Sequence, residues 1–146
     1  MVEVTRIFNV VEFLRGRISK SMPIQHVALF LLVAQKQGIT MPDLCEQLSM
    51  PQGSLSRNVK LLSRFLEKSN GRMVARGYDL LRTEPSTANP HALAVFLTPK
   101  GEDLVEEMVD MLEGVEIDAA VQQKSAAGSE RIAEKSVNVV GRSQVC

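Results

Sequence analysis

The sequence is poor in the residues that several classes of protein depend on. It has no tryptophan and one tyrosine, so aromatic platforms for single-stranded nucleic acid are not expected. Its two cysteines, Cys45 and Cys146, fit neither a disulfide framework nor a metal-ligand spacing. No apolar run approaches the roughly 18 residues of a membrane span, and the N-terminal residues lack the features of a signal peptide. We therefore expect a cytoplasmic protein that does not bind a membrane.

Charge is balanced overall but unevenly distributed. The formal net charge is zero, yet residues 52–100 contain eight basic and three acidic residues, and residues 101–118 contain eight acidic residues and no basic one. This asymmetry is compatible with a cationic surface that meets a polyanion. Two ordinary solvated surfaces explain the same charges equally well.

Residues for catalysis or for cofactor and metal binding are not apparent. His26 and His91 fall on different predicted elements without the spacing of a metal site or a catalytic triad. The chain has no glycine-rich phosphate loop. Cys45 lies in an amphipathic segment, where a cysteine is more often a small core residue than a redox sensor. We expect no enzyme, no cofactor and no metal.

Proline positions predict where helices begin. Pro23, Pro42, Pro51 and Pro99 each follow a serine or threonine by one or two residues, next to a segment with helical spacing. Such hydroxyls can cap a helix, and proline loses no hydrogen bond in a first turn. Apolar spacing predicts a helix over residues 23–37, with Val27, Phe30, Leu31 and Ala34 buried, and another over 5–18, with Ile7, Val10, Val11, Leu14 and Ile18 forming its stripe.

A helix-turn-helix is predicted in "ITMPDLCEQLSMPQGSLSRNVKLL", residues 39–62. Thr40 and Asp43 suit a capping box at the start of a short helix, and Pro51 interrupts that helix and begins the next. At about 100° per residue, the second helix carries apolar residues on one side, Leu55, Val59, Leu62 and Leu66. Its opposite side carries Gly53, Arg57, Lys60 and Arg64, with Ser54 and Ser56 flanking. The alternative is a surface helix that is polar only for solubility.

The remaining segments complete a mainly α fold with a small β-hairpin wing. "MVARGYDLLR" and "ALAVFL" are predicted as the two strands of one hairpin, with "PSTANP" at its tip. A last helix follows Pro99, with a stripe of Leu104, Met108, Met111 and Leu112. The predicted organisation is N-terminal helices over 1–38, a DNA-binding domain over 39–97, a C-terminal helix over 98–118 and a disordered tail over 119–146.

This order of elements resembles the winged helix-turn-helix regulators of the MarR family. The helix-turn-helix with Ser56 and Arg57, the wing "GYDLLRTEPSTANPHALAVFLTPKG" and the helix opening "LTPKG" carry the resemblance. It implies a homodimer, joined by the first and last helices, that binds a pseudo-palindromic site in double-stranded DNA. It also leaves room for a small-molecule effector, which the sequence does not identify. Family wings commonly carry Asp-x-Arg at the tip, whereas this chain has residues 86–90, Ser-Thr-Ala-Asn-Pro; Arg82 and His91 are the nearest substitutes.

The predicted function is a sequence-specific, DNA-binding regulator of transcription. In a helix-turn-helix, the N-terminal residues of the second helix meet base edges, which assigns base reading to Gln52, Ser54, Ser56 and Arg57. Gly53 would permit close approach, Lys60 and Arg64 would contact phosphates, and Arg82 and His91 would act from the wing. A winged-helix adaptor that binds another protein is the alternative. An adaptor is expected to expose an apolar cluster on this helix, and the polar stripe favours DNA.

Overall fold

A computed structural model describes residues 1–114 of the chain. Residues Met1–Val109 form one compact unit, and the remaining described residues continue the last helix. The predicted tail and the last four residues of the predicted C-terminal helix lie outside the described residues. The helices are α1 (Val2–Arg17), α2 (Ile24–Gln35), α3 (Met41–Leu48), α4 (Gln52–Leu62) and α5 (residues 99–114). The strands are β1 (Ile39–Thr40), β2 (Phe65–Ser69), β3 (Arg72–Arg76), β4 (Leu81–Pro85) and β5 (Leu93–Leu97).

One hydrophobic core joins α2, α3 and α4 to β4, β5 and the first turns of α5. Its members with almost no exposed surface include Leu29, Phe30, Leu44, Leu55, Leu62, Leu80 and Val95. The buried side of α2 differs from the prediction: His26, Leu29, Phe30 and Val33 are buried, whereas Val27, Leu31 and Ala34 are half-buried. Because α2 is apolar on most of its circumference, spacing alone could not select the face that meets the core.

The apolar stripe predicted on α1 is covered by the core only in part. Leu14 is buried, and Val10 and Ile18 pack beside it on the core. Ile7 and Val11 are exposed instead, and Val4 and Phe8 share their side of the helix. Arg17 of α1 forms an ion pair with Glu107 of α5. The C-terminal half of the helix therefore packs on the core, and the apolar side formed by Val4, Ile7, Phe8 and Val11 stays uncovered.

The turn between α3 and α4 is short and tightly defined. Thr40 caps α3, accepting a hydrogen bond from the Asp43 amide. Ser49 ends the helix in the left-handed conformation, with a φ of 48°, and the Met50 amide donates to the Cys45 carbonyl at 3.0 Å. Pro51 is the N-cap of α4, which has no side-chain cap. The predicted break at Pro51 is therefore correct, but Ser49 ends one helix and does not cap the next.

Helix α4 ends one turn earlier than the apolar spacing predicts. It stops at Leu62, and the Ser63 hydroxyl donates to the Val59 carbonyl at 2.6 Å. Leu66, predicted on the buried side, is 62% exposed, and Arg64 lies beyond the helix. The reason is strand pairing: β2 pairs with β3 across Asn70 and Gly71, which both have positive φ, as a two-residue hairpin turn requires.

The segment "MVARGYDLLR" forms parts of two separate sheets, which corrects the prediction of one strand. Strand β3 ends at Arg76 and pairs with β2, whereas β4 pairs with β5 in the sheet of order β1-β5-β4. Between them, the Tyr78 and Leu80 amides donate to the carbonyls of Leu61 and Leu62 at 3.0 and 2.7 Å. These bonds attach the start of the wing, β4 and β5, to the end of α4.

The motif "LTPKG" connects the wing to α5 through Thr98. The Thr98 hydroxyl accepts a hydrogen bond from the Gly101 amide at 3.1 Å and donates to the Asp79 carbonyl. A β-carbon at Gly101 would lie 2.4 Å from the Leu80 carbonyl oxygen. A hydroxyl and a glycine at these two positions therefore let α5 begin directly against the segment that precedes β4.

Candidate nucleic-acid interface

Helix α4 presents a polar side to solvent, which we call the outward face. It consists of the exposed residues Gln52, Gly53, Ser56, Arg57 and Lys60. The opposite side, with Leu55, Val59 and Leu62, is buried. Ser54 is half-buried at the border between the two sides. The structure thus brings together five of the predicted residues on one helix and leaves Ser54 partly covered.

The first turn of α4 also offers backbone hydrogen-bond donors. The Leu55 amide bonds to the Pro51 carbonyl at 2.9 Å, and the amides ahead of it belong to the first turn, which has no partners within the helix. Together with the helix dipole, such amides favour a nearby anion. A β-carbon at Gly53 would meet no described atom within 4 Å, apart from its two chain neighbours and the backbone of its own helix. The fold itself therefore does not require glycine at this exposed position.

A buried polar connection sets the rotation of α4 against α2. The Nε2 atom of His26 lies 3.0 Å from Oδ1 of Asn58, and the Asn58 amide donates to the sulfur of Met50 at 3.3 Å. Because Oδ1 can only accept, Nε2 carries the proton. His26 is 6% exposed and Asn58 9%. The bond links the core helix to the inner side of α4 and so holds the outward face toward solvent.

The site predicted from sequence does not include this pair, although the spacing on α4 contains a signal for it. Asn58 falls at the i+3 position of the buried series Leu55, Asn58, Val59 and Leu62. A polar residue inside such a series needs a buried partner. The partner, His26, lies on another helix, so the series on α4 indicates that a partner is needed but does not identify it.

An open cleft of about 280 Å³ lies beside the outward face. Ser56 and Lys60 of α4, Arg64, Phe65 at the start of β2, and Thr83 of β4 are among the residues that line it. The Lys60 ammonium is 4.8 Å from the centre of the Phe65 ring. Although Arg64 is not on α4, the structure places it in the same cleft as Lys60.

The two wing residues proposed from sequence lie elsewhere. The Arg82 guanidinium stacks 4.6 Å from the centre of the Phe96 ring and bonds to Glu84 at 2.9 Å. Thr83, the next residue along β4, lines the cleft, so Arg82 lies on the opposite side of the strand. His91 is exposed at the wing tip, where its amide donates to the Asn89 side chain at 3.2 Å. The cleft therefore gathers Ser56, Lys60 and Arg64, but neither of the proposed wing residues.

Among residues 1–114, no three histidine, cysteine, aspartate or glutamate side chains come together as a metal site would require. No helix within that range has both the length and the apolar character needed to cross a bilayer.

Solved structures share this fold, whereas no protein-family model and no curated protein matches the sequence. The S. aureus MepR–DNA complex aligns with a TM-score of 0.58 over 92% of this chain and 94% of that chain, at 15% identity. A mutant of S. aureus MepR bound to an oligodeoxyribonucleotide gives a TM-score of 0.54 over 92% of both chains, at 16% identity. A MarR transcriptional regulator from Methanosarcina mazei Go1 gives 0.48 over 92% and 95%, at 15% identity.

The two MepR alignments, with TM-scores of 0.58 and 0.54, establish an architecture. The chain has a MarR-like winged-helix fold, in which helices and a small antiparallel sheet combine as predicted. At 15 to 16% identity, the likeness concerns the fold.

Proposed function

We propose that this protein is a dimeric regulator of transcription that binds specific sequences in double-stranded DNA through α4. The observation that carries the proposal is the outward face: a helix behind a three-residue turn exposes glutamine, glycine, serine, arginine and lysine while its other side is buried. Helices in this position can enter the major groove. Structures of the same fold that contain DNA support the proposal.

Roles differ along the outward face. Gln52, Ser56 and Arg57 lie in the first turns of α4, where side chains meet base edges, and glutamine suits adenine as arginine suits guanine. Ser54 remains a candidate base-reading residue at the border of the face. Lys60 lies near the end of the helix and Arg64 just beyond it, and these flexible cations contact phosphates. Arg82 and His91 are proposed to act from the wing, separately from the cleft.

The composition of the outward face argues against the adaptor alternative. A docking surface for a protein is expected to contain a cluster of exposed apolar or aromatic residues. On α4 the large apolar residue with substantial exposure is Leu61, at 38%. DNA is therefore the better fit for this helix.

The uncovered side of α1 supports the dimer. Four large apolar residues that share this side are between 44 and 63% exposed: Val4, Ile7, Phe8 and Val11. A contiguous apolar patch of this kind is typical of an interaction site, and a two-fold symmetric dimer is the commonest way to cover one. We propose that α1 and α5 of each subunit form the interface, which places two copies of α4 on one duplex.

The direct test is selection of duplexes from a random library by the purified full-length chain. The proposal requires enrichment of a sequence with two related half-sites, because a two-fold protein reads a pseudo-palindrome. Recovery of unrelated sequences would refute sequence-specific binding.

A further inference from the structure

The proposed roles of α4 and the wing leave the hairpin of β2 and β3 without a function. It follows α4 after two residues and is closed by the Asn70-Gly71 turn, with φ values of 52° and 79°. This turn type matches the natural twist of paired strands. Five residue pairs are in register, from Phe65 opposite Arg76 to Ser69 opposite Arg72. The hairpin is therefore a defined arm beside the end of α4.

The strand register divides the hairpin into two faces. Residues directly opposite each other in an antiparallel pair share a face, and neighbours along a strand alternate. The cationic face contains Phe65, Arg76, Glu67, Val74, Ser69 and Arg72. The apolar face contains Leu66, Ala75, Lys68 and Met73. Each face thus carries at least one exposed cation, and the two faces can be tested against each other.

Contacts at the base of the hairpin show which face continues the DNA-binding surface. The Phe65 ring lies under the Lys60 ammonium at 4.8 Å and lines the cleft that also contains Ser56. Phe65 belongs to the cationic face, so Arg76 and Arg72 extend from the outward face of α4. Lys68 points to the other side of the hairpin.

Charge distinguishes the residues on the cationic face. Arg76 pairs with Glu67 at 3.3 Å, with both side chains about half exposed. Among residues 1–114, neither Arg72 nor Lys68 forms an ion pair, and both are exposed. Arg72 therefore presents an uncompensated positive charge near the far end of the arm, on the side of α4 that faces solvent.

We propose that the β2–β3 hairpin is a second DNA-contacting arm, in which Arg72, supported by Arg76, contacts duplex phosphates beyond the groove occupied by α4. This inference depends on the proposed function. Four residue steps of strand span about 14 Å, which equals about four base pairs along a duplex. Each subunit thus contacts a longer stretch of the DNA backbone than α4 and the wing alone would contact. Such contacts add affinity without reading sequence.

The test compares Arg72→Ala with Lys68→Ala in the full-length chain. Both remove an exposed cation without an ion-pair partner, but from opposite faces of the same hairpin. The probes are a duplex selected by the wild-type chain and a scrambled duplex of equal length and composition. We expect Arg72→Ala to weaken both complexes by the same factor and to reduce the slope of log affinity against log salt by about 0.9 per subunit. Lys68→Ala should change neither, and Arg72→Lys should recover the slope.

A phosphate map adds a second measurement. Ethylation of individual phosphates should interfere with wild-type binding at positions about four base pairs beyond the α4 contacts. With Arg72→Ala, interference at those phosphates should disappear while interference beside α4 remains. A midpoint of thermal unfolding equal to that of the wild type establishes that the fold of each variant is intact.

Three outcomes overturn the inference. Arg72→Ala could bind both duplexes as the wild type does, with an unchanged salt slope. Lys68→Ala could produce an equal loss, which would show that the effect is general charge and not the cationic face. A wild-type chain that binds no duplex would refute the proposed function as well. If Arg57→Ala weakens binding and Arg72→Ala does not, only the hairpin assignment fails and the proposed function stands.

Discussion

His26 on α2 and Asn58 on α4 are joined by a buried hydrogen bond of 3.0 Å between Nε2 and Oδ1. The bond connects the core to the inner side of the helix proposed to read DNA, and Met50 in the preceding turn completes it through the Asn58 amide. The Nδ1 atom of His26 is also buried and has no hydrogen-bond partner within the described residues. The pair therefore holds the outward face in place, and His26 has no second hydrogen bond within the described residues that could replace this one.

Replacing Asn58 should destabilise the fold. In Asn58→Ala the buried His26 N–H loses its acceptor, and an unsatisfied buried donor costs about 1 to 3 kcal/mol. Urea denaturation of the variant measures this loss. Removing both partners with His26→Leu and Asn58→Leu should cost less than the sum of the single changes, because no polar group is then left unpaired. Additive losses would contradict the coupling.

Two glycines should respond oppositely to alanine. At Gly77, with a φ of 91°, a β-carbon would lie 1.8 Å from the Ser63 carbonyl oxygen, so Gly77→Ala should lower the free energy of unfolding by at least about 1 to 3 kcal/mol. Gly53→Ala meets no such obstacle and should stabilise α4 by up to about 1 kcal/mol. If Gly53 permits close approach to DNA, the same variant should bind the selected duplex more weakly. Unchanged binding by a more stable Gly53→Ala would show that the glycine has no role in the complex.

The uncovered side of α1 predicts the oligomeric state. A charge introduced there, as in Phe8→Asp, should convert the dimer to a monomer, because burying an unpaired carboxylate is strongly unfavourable. Asn9→Asp introduces the same charge on a different side of α1 and should leave the dimer intact. Sedimentation equilibrium at micromolar concentration distinguishes these cases. A wild-type monomer, or equal effects of the two variants, would contradict an interface on this side.

Sequence patterns predicted those parts of the fold that depend on local periodicity. The outward face of α4 followed from helical spacing, and the break at Pro51 followed from the missing amide. The wing strand β5 was also predicted, together with the proline-bracketed tip, whereas β4 overlaps only the end of the segment predicted as the other strand. These features are determined by neighbouring residues, and the structure confirms them.

Other parts depended on tertiary contacts or on which of two competing local signals prevails. The early end of α4 was missed because Leu66 continues the helical spacing, although Asn70-Gly71 is a strong hairpin turn and signals the competing β2–β3 pair. The position of Arg82 depends on its contact with Phe96, which belongs to the neighbouring strand and cannot be read from spacing. The partnership of His26 and Asn58 joins residues 32 positions apart.

The comparison of Arg57→Ala with Lys60→Ala on selected and scrambled duplexes tests the central claim most directly. If α4 reads bases, Arg57→Ala should cost about 1 to 3 kcal/mol on the selected duplex and relax the preference at one base position. Lys60→Ala should weaken both duplexes equally and reduce the salt slope by about one per subunit. The claim is contradicted if the wild-type chain binds the two duplexes equally well, or if Arg57→Ala lowers both affinities by the same factor.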